Sequence, residues 1–205
     1  MARINVCNAK YKLLKENTTS AYTMGEDTYP LPGLRSIDLA ILMASGTLYG
    51  DGVVDENVDK ITGAQVKFDI NKIPIEDRSR MNGANYDGIM DLTTDDKAPE
   101  IALYFETESS KKGKKEQMWL LCGKVQPIGM AAQQTEGNVT FSTDTMTVAC
   151  TQRKKDKKVL RLGDTENTKF TEKDSKGFEE NPDYTIPKTE DTGSEGTTGD
   201  ETEGN

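Results

Sequence analysis

The chain contains no histidine. Because histidine activates serine and cysteine nucleophiles and is the commonest metal ligand, its absence excludes Ser-His and Cys-His catalysis and removes the usual basis for a transition-metal site. The sequence also lacks a P-loop, a GxGxxG loop and cysteines at zinc-binding spacing. We therefore expect a protein that is not an enzyme and that uses no catalytic residue, cofactor or metal ion.

Cysteine is scarce, and long apolar runs are missing. Cys7, Cys122 and Cys150 are odd in number, lack C-x-x-C spacing and fall in predicted strands, where a free thiol packs as a small apolar group. This usage is typical of reduced thiols in a cytoplasm. No stretch approaches the roughly 20 apolar residues of a membrane span, and the start has no signal region, so we predict no membrane partner.

Apolar residues make up only 34% of the chain, and the deficit is local. Residues 165–205 contain 12 of the 35 acidic residues but only 4 of the 26 basic ones, a net charge of −8, against −1 for residues 1–164. So polar a segment cannot bury enough surface to offset its ordering entropy. We expect a β domain over 1–164 and an acidic, disordered tail over 165–205, in which Phe178, Tyr184 and Ile186 could still dock on a neighbour.

The most informative stretch runs from Leu34 to Ile70 and contains two alternating segments. In the first, Ile37, Leu39, Ile41 and Met43 share one face and Asp38, Ala40, Leu42 and Ala44 the other; in the second, Ala64, Val66, Phe68 and Ile70 alternate with Gln65, Lys67 and Asp69. A period of two indicates half-buried strands, with one face left for solvent or a partner. The acidic, glycine-rich residues 46–60 between them predict a long loop rather than a tight hairpin.

Further alternating segments predict a mainly β, antiparallel fold. They cover residues 4–14, 101–106, 115–125, 138–150 and 159–162. The only convincing helix lies within residues 71–84, where Pro74 suits the first turn and Gly83 can supply a left-handed stop. Two turns cannot stand alone, so this helix must lean on the sheet. We predict a β-sandwich or barrel with one short flanking helix.

Charged clusters give weaker indications of function. The acidic stretches 51–59 and 87–96 lack the residue order of an EF-hand and are typical of solvated loops. The basic turns Lys111–Lys115 and Arg153–Lys158 are typical of polar hairpin tips, or of contacts with phosphate or an acidic patch on a partner. Aromatic residues are not interleaved with them, and the acidic tail opposes general DNA affinity, so sequence-specific DNA binding is not expected.

The order of the elements carries a resemblance to a known family. The layout begins with a first strand, a proline-containing turn and a long strand that ends in Thr47-Leu48-Tyr49-Gly50-Asp51-Gly52. It continues with a second long strand, a short helix, a hairpin that contains the single Trp119 and a Thr-rich strand. Over residues 2–164 this layout resembles the major tail protein, or tail tube protein, of long-tailed phages of Gram-positive hosts. The chain departs from that pattern at residues 43–46, where a more polar run is expected, and in its acidic tail.

The resemblance implies a structural virion protein, made in the host cytoplasm, with a β-sandwich-like subunit. It implies hexameric rings that stack into the tail tube and conduct DNA during ejection without sequence-specific binding. The implied partners are further copies of the chain and the tape measure, tail terminator and distal tail proteins. Family members line the tube with the long strands and reach the adjacent ring with the long loop. Here those roles fall on Asp38, Ala40, Leu42, Gln65, Lys67 and Asp69 for the bore and on Thr47–Gly52 for the inter-ring contact.

Two questions stay open from the sequence. Asp38 and Asp69 on outer strand faces suggest an acidic bore, which would repel DNA phosphate and let the genome slide. The alternative to a tube subunit is a monomeric β-sandwich binding or adhesion module on a virion or cell surface. Such a module usually exposes aromatic residues, whereas the setting of Trp119 between apolar neighbours suits a core position. The sequence does not distinguish a contractile tail from a non-contractile one.

Overall fold

A computed structural model describes residues 2–51, 53–129, 132 and 141–187. Over these residues the chain forms mainly β-strands, with two helices. The strands are β1 (Arg3–Asn17), β2 (Tyr22–Met24), β3 (Tyr29–Pro30), β4 (Leu34–Gly50), β5 (Val53–Ile70), β6 (Asn85–Tyr86), β7 (Met90–Asp91), β8 (Ile101–Ser109), β9 (Lys115–Val125), β10 (Asp144–Thr151) and β11 (Leu160–Asp164). The helices are α1 (Ile75–Asn82) and α2 (Glu172–Glu180). The mainly β fold predicted from the alternation is confirmed.

Nine strands form one antiparallel sheet in the order β2-β1-β8-β9-β10-β5-β4, with β3 added to β1 and β11 to β9. Inward side chains of β1, β5, β8, β9 and β10 share one apolar core, so the sheet curls around it. Strands β1 and β4 border a common cleft but are not hydrogen-bonded neighbours in the described sheet. The sheet is therefore antiparallel and curled without closing into a barrel.

Helix α1 lies where the sequence predicted it and is held against the core. Pro74 precedes the helix, and Gly83 ends it with a φ of 73°. A Cβ atom at Gly83 would lie 2.3 Å from the Lys97 carbonyl oxygen, so both the backbone angle and the space require glycine. The Asp77 carboxylate of the helix accepts a hydrogen bond from the Tyr11 hydroxyl of β1 at 2.7 Å. The short helix thus leans on the sheet, as its length requires.

A second helix lies within the segment that was predicted to be a disordered tail. Helix α2 begins at a capping box, in which Thr171 and Asp174 satisfy each other's backbone N–H groups. Phe178 of this helix packs on the outer face of β8 and β9, and the Trp119 indole N–H donates a 2.6 Å hydrogen bond to its carbonyl oxygen. The second core comprises Ala102, Tyr104, Trp119, Leu121 and Phe178.

The expectations of a single helix and of a disordered tail are therefore wrong for residues 165–187. The average composition of the segment is polar, so it did not indicate the few apolar side chains that pack together. Phe170 and Tyr184 pack with Phe178 against the second core. Gly177 belongs to this arrangement, because a Cβ atom there would lie 2.4 Å from the Tyr184 ring. The rest of the expected tail, residues 188–205, lies outside the described residues.

Strands β4 and β5 form one continuous hairpin rather than two strands joined by a long loop. Their pairing runs from Leu34 opposite Ile70 to Gly50 opposite Val53, and Asp51 beside the turn has a φ of 49°. Asp-Gly is a strong two-residue hairpin signal. The prediction of a long loop over residues 46–60 is therefore wrong. It failed because both faces of the hairpin are exposed here, so these strands do not need the strict apolar alternation by which a strand is recognised.

Strand β10 begins later than the predicted strand over 138–150. Residues 141–143 are irregular, and 138–140 lie outside the described residues. Asp144 starts the strand by accepting hydrogen bonds from the Ile73 N–H at 2.8 Å and the Arg78 guanidinium at 2.5 Å. Burial alone would raise the pKa of Asp144, but these two donors outweigh it and lower the pKa. The carboxylate thereby fixes the chain entering β10 to the base of α1.

Candidate assembly surfaces

The distal half of the β4–β5 hairpin, residues 41–62, forms an arm whose described residues are all exposed. Its exposed large apolar side chains are Ile41, Leu42, Met43, Leu48, Tyr49, Val53, Val54, Val58 and Ile61. Isolated apolar side chains on a surface are ordinary, but here several lie opposite one another, as Met43 does with Ile61 and Tyr49 with Val54. Such clusters of exposed apolar side chains are typical of interaction sites. Tyr49 and Val53, near the turn, each have 67% of their surface exposed. The arm therefore presents an apolar surface that this subunit does not cover.

Among the described residues, the arm is held by the pairing between its own two strands. The described side-chain hydrogen bonds within it are from the Thr47 hydroxyl to Asn57 and from the Thr62 hydroxyl to the Leu42 carbonyl, both at 3.2 Å and both exposed. A two-stranded hairpin with no packed face is marginally stable in water. A partner that covers the apolar side chains would supply the packing that the arm lacks.

The residues predicted to contact the next ring lie at the end of the arm. Thr47, Leu48, Tyr49, Gly50 and Asp51 occupy the last β4 positions and the turn, and Gly52 lies outside the described residues. The pairing sets Tyr49 opposite Val54 and Leu48 opposite Glu56. Sequence reasoning missed the β5 half of this tip, which the Val53-Val54 pair directly after Asp51-Gly52 could have indicated as a returning strand.

The six residues predicted to line the bore lie together on the sheet face opposite the core. The pairing sets Asp38 opposite Lys67 and Ala40 opposite Gln65, while the residues between them turn inward to the core. Strand β10 extends this face, with Thr145 opposite Asp69, Thr147 opposite Lys67 and Ala149 opposite Gln65. The bare face therefore consists of Asp38, Ala40, Leu42, Gln65, Lys67, Asp69, Thr145, Thr147 and Ala149, all exposed or half-buried. Sequence reasoning had not assigned the three β10 residues to it.

The bare face carries both signs of charge. Asp38 is exposed and lies across the pair from Lys67. Asp69 is half-buried, and its carboxylate lies 4.0 Å from the Arg35 guanidinium. Neither aspartate points into the core, but each has a cation as a neighbour. The described part of this face is therefore mixed in charge, whereas the two aspartates alone suggested an acidic surface.

The outer edge of β4 is open in the described sheet. Residues 35–39 of this edge face residues 3–6 of β1 across a cleft of about 550 Å³, and Phe105 and Met118 lie at its base. An exposed strand edge presents unpaired N–H and C=O groups that can pair with a strand of another chain. The arm, the bare face and the β4 edge are therefore three connected surfaces on one hairpin.

Strands β1, β8 and β9 are linked by a network of polar side chains. Four groups donate hydrogen bonds to one Glu106 carboxylate oxygen: the Tyr104 hydroxyl at 2.5 Å, the Lys115 ammonium at 2.9 Å, the Asn8 amide at 3.1 Å and the Gln117 amide at 3.2 Å. Burial alone would raise the pKa of Glu106, but the donors outweigh it and lower the pKa. This network ties β1, β8 and β9 together around a buried carboxylate and therefore has a structural role.

The basic turns are partly structural as well. Arg153 is only 2% exposed, and its guanidinium contacts carboxylate oxygens of Asp156 and Asp183 at 2.6 Å each. Its hydrogen bonds to Asp156 hold the pKa of that carboxyl well below its usual range. Arg153 therefore anchors a turn, while the lysines that follow it are exposed.

Metal-binding clusters and membrane-spanning helices are absent from the part of the chain that the structure describes. Within them, no group of three or more cysteine, aspartate or glutamate side chains is placed to hold a metal ion. None of the helices of that part of the chain has the length and apolar character needed to cross a membrane. Cys7, Cys122 and Cys150 are free thiols on three different strands.

Residues 3–182 match the family described as phage tail tube protein. The matched stretch extends past the residues that carried the resemblance in the sequence and includes all of α2. No curated protein matches the chain.

Proposed function

The chain belongs to the phage tail tube protein family, and from that premise we propose that it forms hexameric rings that stack into the tube of a virion tail. The protein is a structural component of the phage tail. The proposal adds the ring, the stacking and the conduit for DNA ejection.

The observation that carries this proposal is the arm, with apolar side chains exposed on a hairpin that lacks packing of its own. A monomeric protein rarely keeps such a surface uncovered. An adjacent ring would cover it, with the tip residues Thr47–Gly52 making the contact. Because the arm and the surface that receives it differ, the contact is heterologous and repeats without closing, which extends rings into a filament.

The bare face and the open β4 edge support ring formation. Pairing the β4 edge with a strand of the next subunit would remove the exposed edge, and six such contacts would close the sheets into one barrel. The bare face would then line the bore, with Asp38, Gln65 and Lys67 among its side chains. Its small and mixed-charge residues give passing DNA no patch of positive charge to bind, so the genome would slide without sequence-specific contact.

The remaining parts of the proposal concern partners and location. A tube of this kind ends on other tail components, for which we propose tape measure, tail terminator and distal tail proteins as the partners. Assembly would follow synthesis in the host cytoplasm, where free cysteine thiols stay reduced. The alternative binding module usually exposes an aromatic platform, and the single Trp119 does not supply one, since this residue is fully buried.

Negative-stain electron microscopy of the purified protein over a range of concentrations tests the proposal. We expect rings or hollow tubes. Tyr49→Asp places a charge at the arm tip and should block stacking while the monomer stays folded, as circular dichroism would show. Tyr86→Asp, at an exposed tyrosine outside the arm, is the matched control and should assemble normally. Normal tubes from the Tyr49 variant would refute the assignment of the tip.

A further inference from the structure

We propose that an acidic loop of one subunit, residues 84–97, docks on the basic turn Lys111–Lys115 of a subunit in the adjacent ring. This contact rests on the proposed stacking of rings and is a second contact between them, separate from the arm. Both charged segments lie outside the arm and outside the bare face.

The acidic loop and the basic turn lie at opposite ends of strand β8. The loop precedes the strand, and it starts beside α1, where the Ala84 N–H donates a 2.9 Å hydrogen bond to the Ser79 carbonyl. The basic turn follows the strand, and the Lys114 N–H closes it by donating to the Lys111 carbonyl at 3.0 Å. The nine residues of β8 separate its two ends by about 26 Å.

The basic turn lies at the end of the sheet from which the arm projects. The last β8 residue, Ser109, is opposite Arg3 of β1, and Arg3 and its β1 neighbours face residues 35–39 of β4 across the cleft. The arm begins two residues further along β4. Helix α1, beside the acidic loop, instead follows Ile70, at the end of β5 that is remote from the arm. If rings stack in the direction of the arm, the basic turn of each ring faces the acidic loop of the next.

The two surfaces are opposite in charge. Residues 84–97 contain four aspartates and one lysine, and Asp87 and Asp91 are exposed. In the basic turn, Lys111 and Lys112 are exposed as well. Among the described residues, none of these four side chains forms an ion pair within its own subunit. Their charges are therefore available to a second copy, and opposite charges across an interface fix its register and its partner.

Each surface also exposes apolar side chains beside its charges. Ile89 in the acidic loop is 74% exposed, and Leu92 is exposed too. At the other end of β8, Ile4 is 66% exposed and borders a groove of about 440 Å³ that the basic turn helps to line. Glu108 also lines this groove, but it accepts a hydrogen bond from the Asn5 amide at 3.0 Å. We assign the groove to Ile89 of the adjacent ring, because that contact would remove apolar surface from water on both sides.

The contact adds to the arm and does not replace it. Exposed ion pairs contribute little singly and are screened by salt, so their effect comes from repetition at every subunit of a ring. Tyr86 pairs with Met90 at the base of the loop, and an aspartate in its place keeps the sign of the loop's charge. The Tyr86→Asp variant should therefore still assemble.

Zero-length carbodiimide cross-linking of wild-type tubes, read by mass spectrometry, tests the contact directly. We expect cross-links from Asp87 or Asp91 to Lys111 or Lys112 in tubes and none in the monomeric fraction. Such a cross-link must join two copies, because the length of β8 separates the two sites within one chain. Tubes without these cross-links would overturn the contact and leave tube formation standing, whereas a chain that forms no tubes would overturn both.

Charge reversal measures what the contact contributes. Lys111→Glu/Lys112→Glu should raise the critical concentration for tubes at low salt by at least about fivefold, because attraction becomes repulsion at every subunit. Adding Asp87→Lys/Asp91→Lys to the same chain restores opposite charges and should recover most of this loss. The difference between the wild type and the lysine variant should shrink as salt is added.

The matched control is Lys154→Glu/Lys155→Glu, which changes the net charge equally at another exposed turn. That turn lies beside Asn17, the last residue of β1, since the Lys154 N–H donates to the Asn17 side chain at 3.1 Å. It is therefore remote from Arg3 and the basic turn, and the control should raise the critical concentration much less. Equal critical concentrations for the two double variants, or no recovery on charge exchange, would overturn the contact.

Discussion

Two hairpins of the same sheet lie in opposite environments. Strands β8 and β9 are buried on both faces, by the main core on one side and by α2 on the other. The distal half of β4–β5 is exposed on both faces, although it also carries large apolar side chains. Both hairpins have the same kind of backbone pairing, so the difference lies in which part of the chain returns to cover them.

The comparison shows that this subunit covers one hairpin with its own C-terminal segment and leaves the distal half of the other exposed. The covering of β8–β9 comes from the C-terminal segment, whose Phe178 meets Trp119. For the arm, the described residues contain no such segment. Apolar side chains on β8–β9 therefore stabilise the monomer, whereas those on the arm would contribute free energy only if a partner covered them.

The largest expected effect comes from removing the cover of β8–β9. Deleting residues 165–205 would expose Trp119 and Tyr104 and remove Phe178, a loss of about 5 kcal/mol in apolar burial. Since whole domains are stable by only about 5–15 kcal/mol, we expect this chain to lose its cooperative urea transition. Circular dichroism against urea concentration measures this.

A chain ending at Pro187 is the control for that deletion. It keeps α2 and the Tyr184 contact with Gly177, so its free energy of unfolding should change by no more than about 0.5 kcal/mol. A stable, cooperative fold for residues 1–164 would instead support the domain division at residue 164 that the composition predicted.

The next effect concerns the polar network beneath α2. The substitution Glu106→Gln removes the carboxylate oxygen that accepts hydrogen bonds from four donors. The amide group that takes its place cannot satisfy all four donors, so the free energy of unfolding should fall by about 1–3 kcal/mol at pH 7. Because the folded-state pKa of Glu106 is lowered, its stabilisation is present above the unfolded-state pKa and is lost as the pH falls through the folded value.

The measurement is the free energy of unfolding in urea between pH 7 and pH 3. The wild-type curve should fall as the pH drops through the acid range, and the Glu106→Gln curve should fall less steeply, so that the two converge. Parallel curves would show that Glu106 does not contribute to acid sensitivity. The exposed Glu56 of the arm, changed to Gln, is the control and should leave the free energy of unfolding at pH 7 nearly unchanged.

The sequence predicted the covered region and the arm unequally. Period-two alternation predicted the strands that carry one core face, including β1 and β5, since burial of one face imposes that period. Pro74 and Gly83 located α1 because helix ends have local chemistry. The register also places on one sheet face the six residues that were predicted to line the bore, because a two-residue period fixes which side chains share a face.

The rest depended on contacts that the sequence pattern does not contain. Helix α2 is held by a few side chains on a distant strand, so an average over residues 165–205 could not detect it. The arm lacked strict alternation because neither face is buried in the subunit. Only Asp51-Gly52 indicated its turn, and the acidic residues around it favoured a loop interpretation. The mixed charge of the bare face required the cross-strand pairing of Asp38 with Lys67.

The smallest effect on the monomer is expected for a Val→Thr substitution in the arm, which is compared with the same substitution in the core part of β5. Val66 is fully buried, and Val58 in the arm is 54% exposed. Val66→Thr buries a hydroxyl in the core and should cost about 1–3 kcal/mol. Val58→Thr keeps a β-branched side chain in water and should change the free energy of unfolding by no more than about 0.5 kcal/mol.

Assembly should reverse that ranking. If a neighbouring subunit buries the arm, Val58→Thr forfeits apolar burial in every copy of the contact, and the critical concentration for tubes should rise even though the monomer is unchanged. Val66→Thr should leave the critical concentration nearly unchanged wherever the monomer stays folded. Sedimentation of tubes across protein concentrations measures both values. An unchanged critical concentration for Val58→Thr would mean that the exposed valine lies outside the contact, and the covered part of the arm would then have to be sought nearer Tyr49.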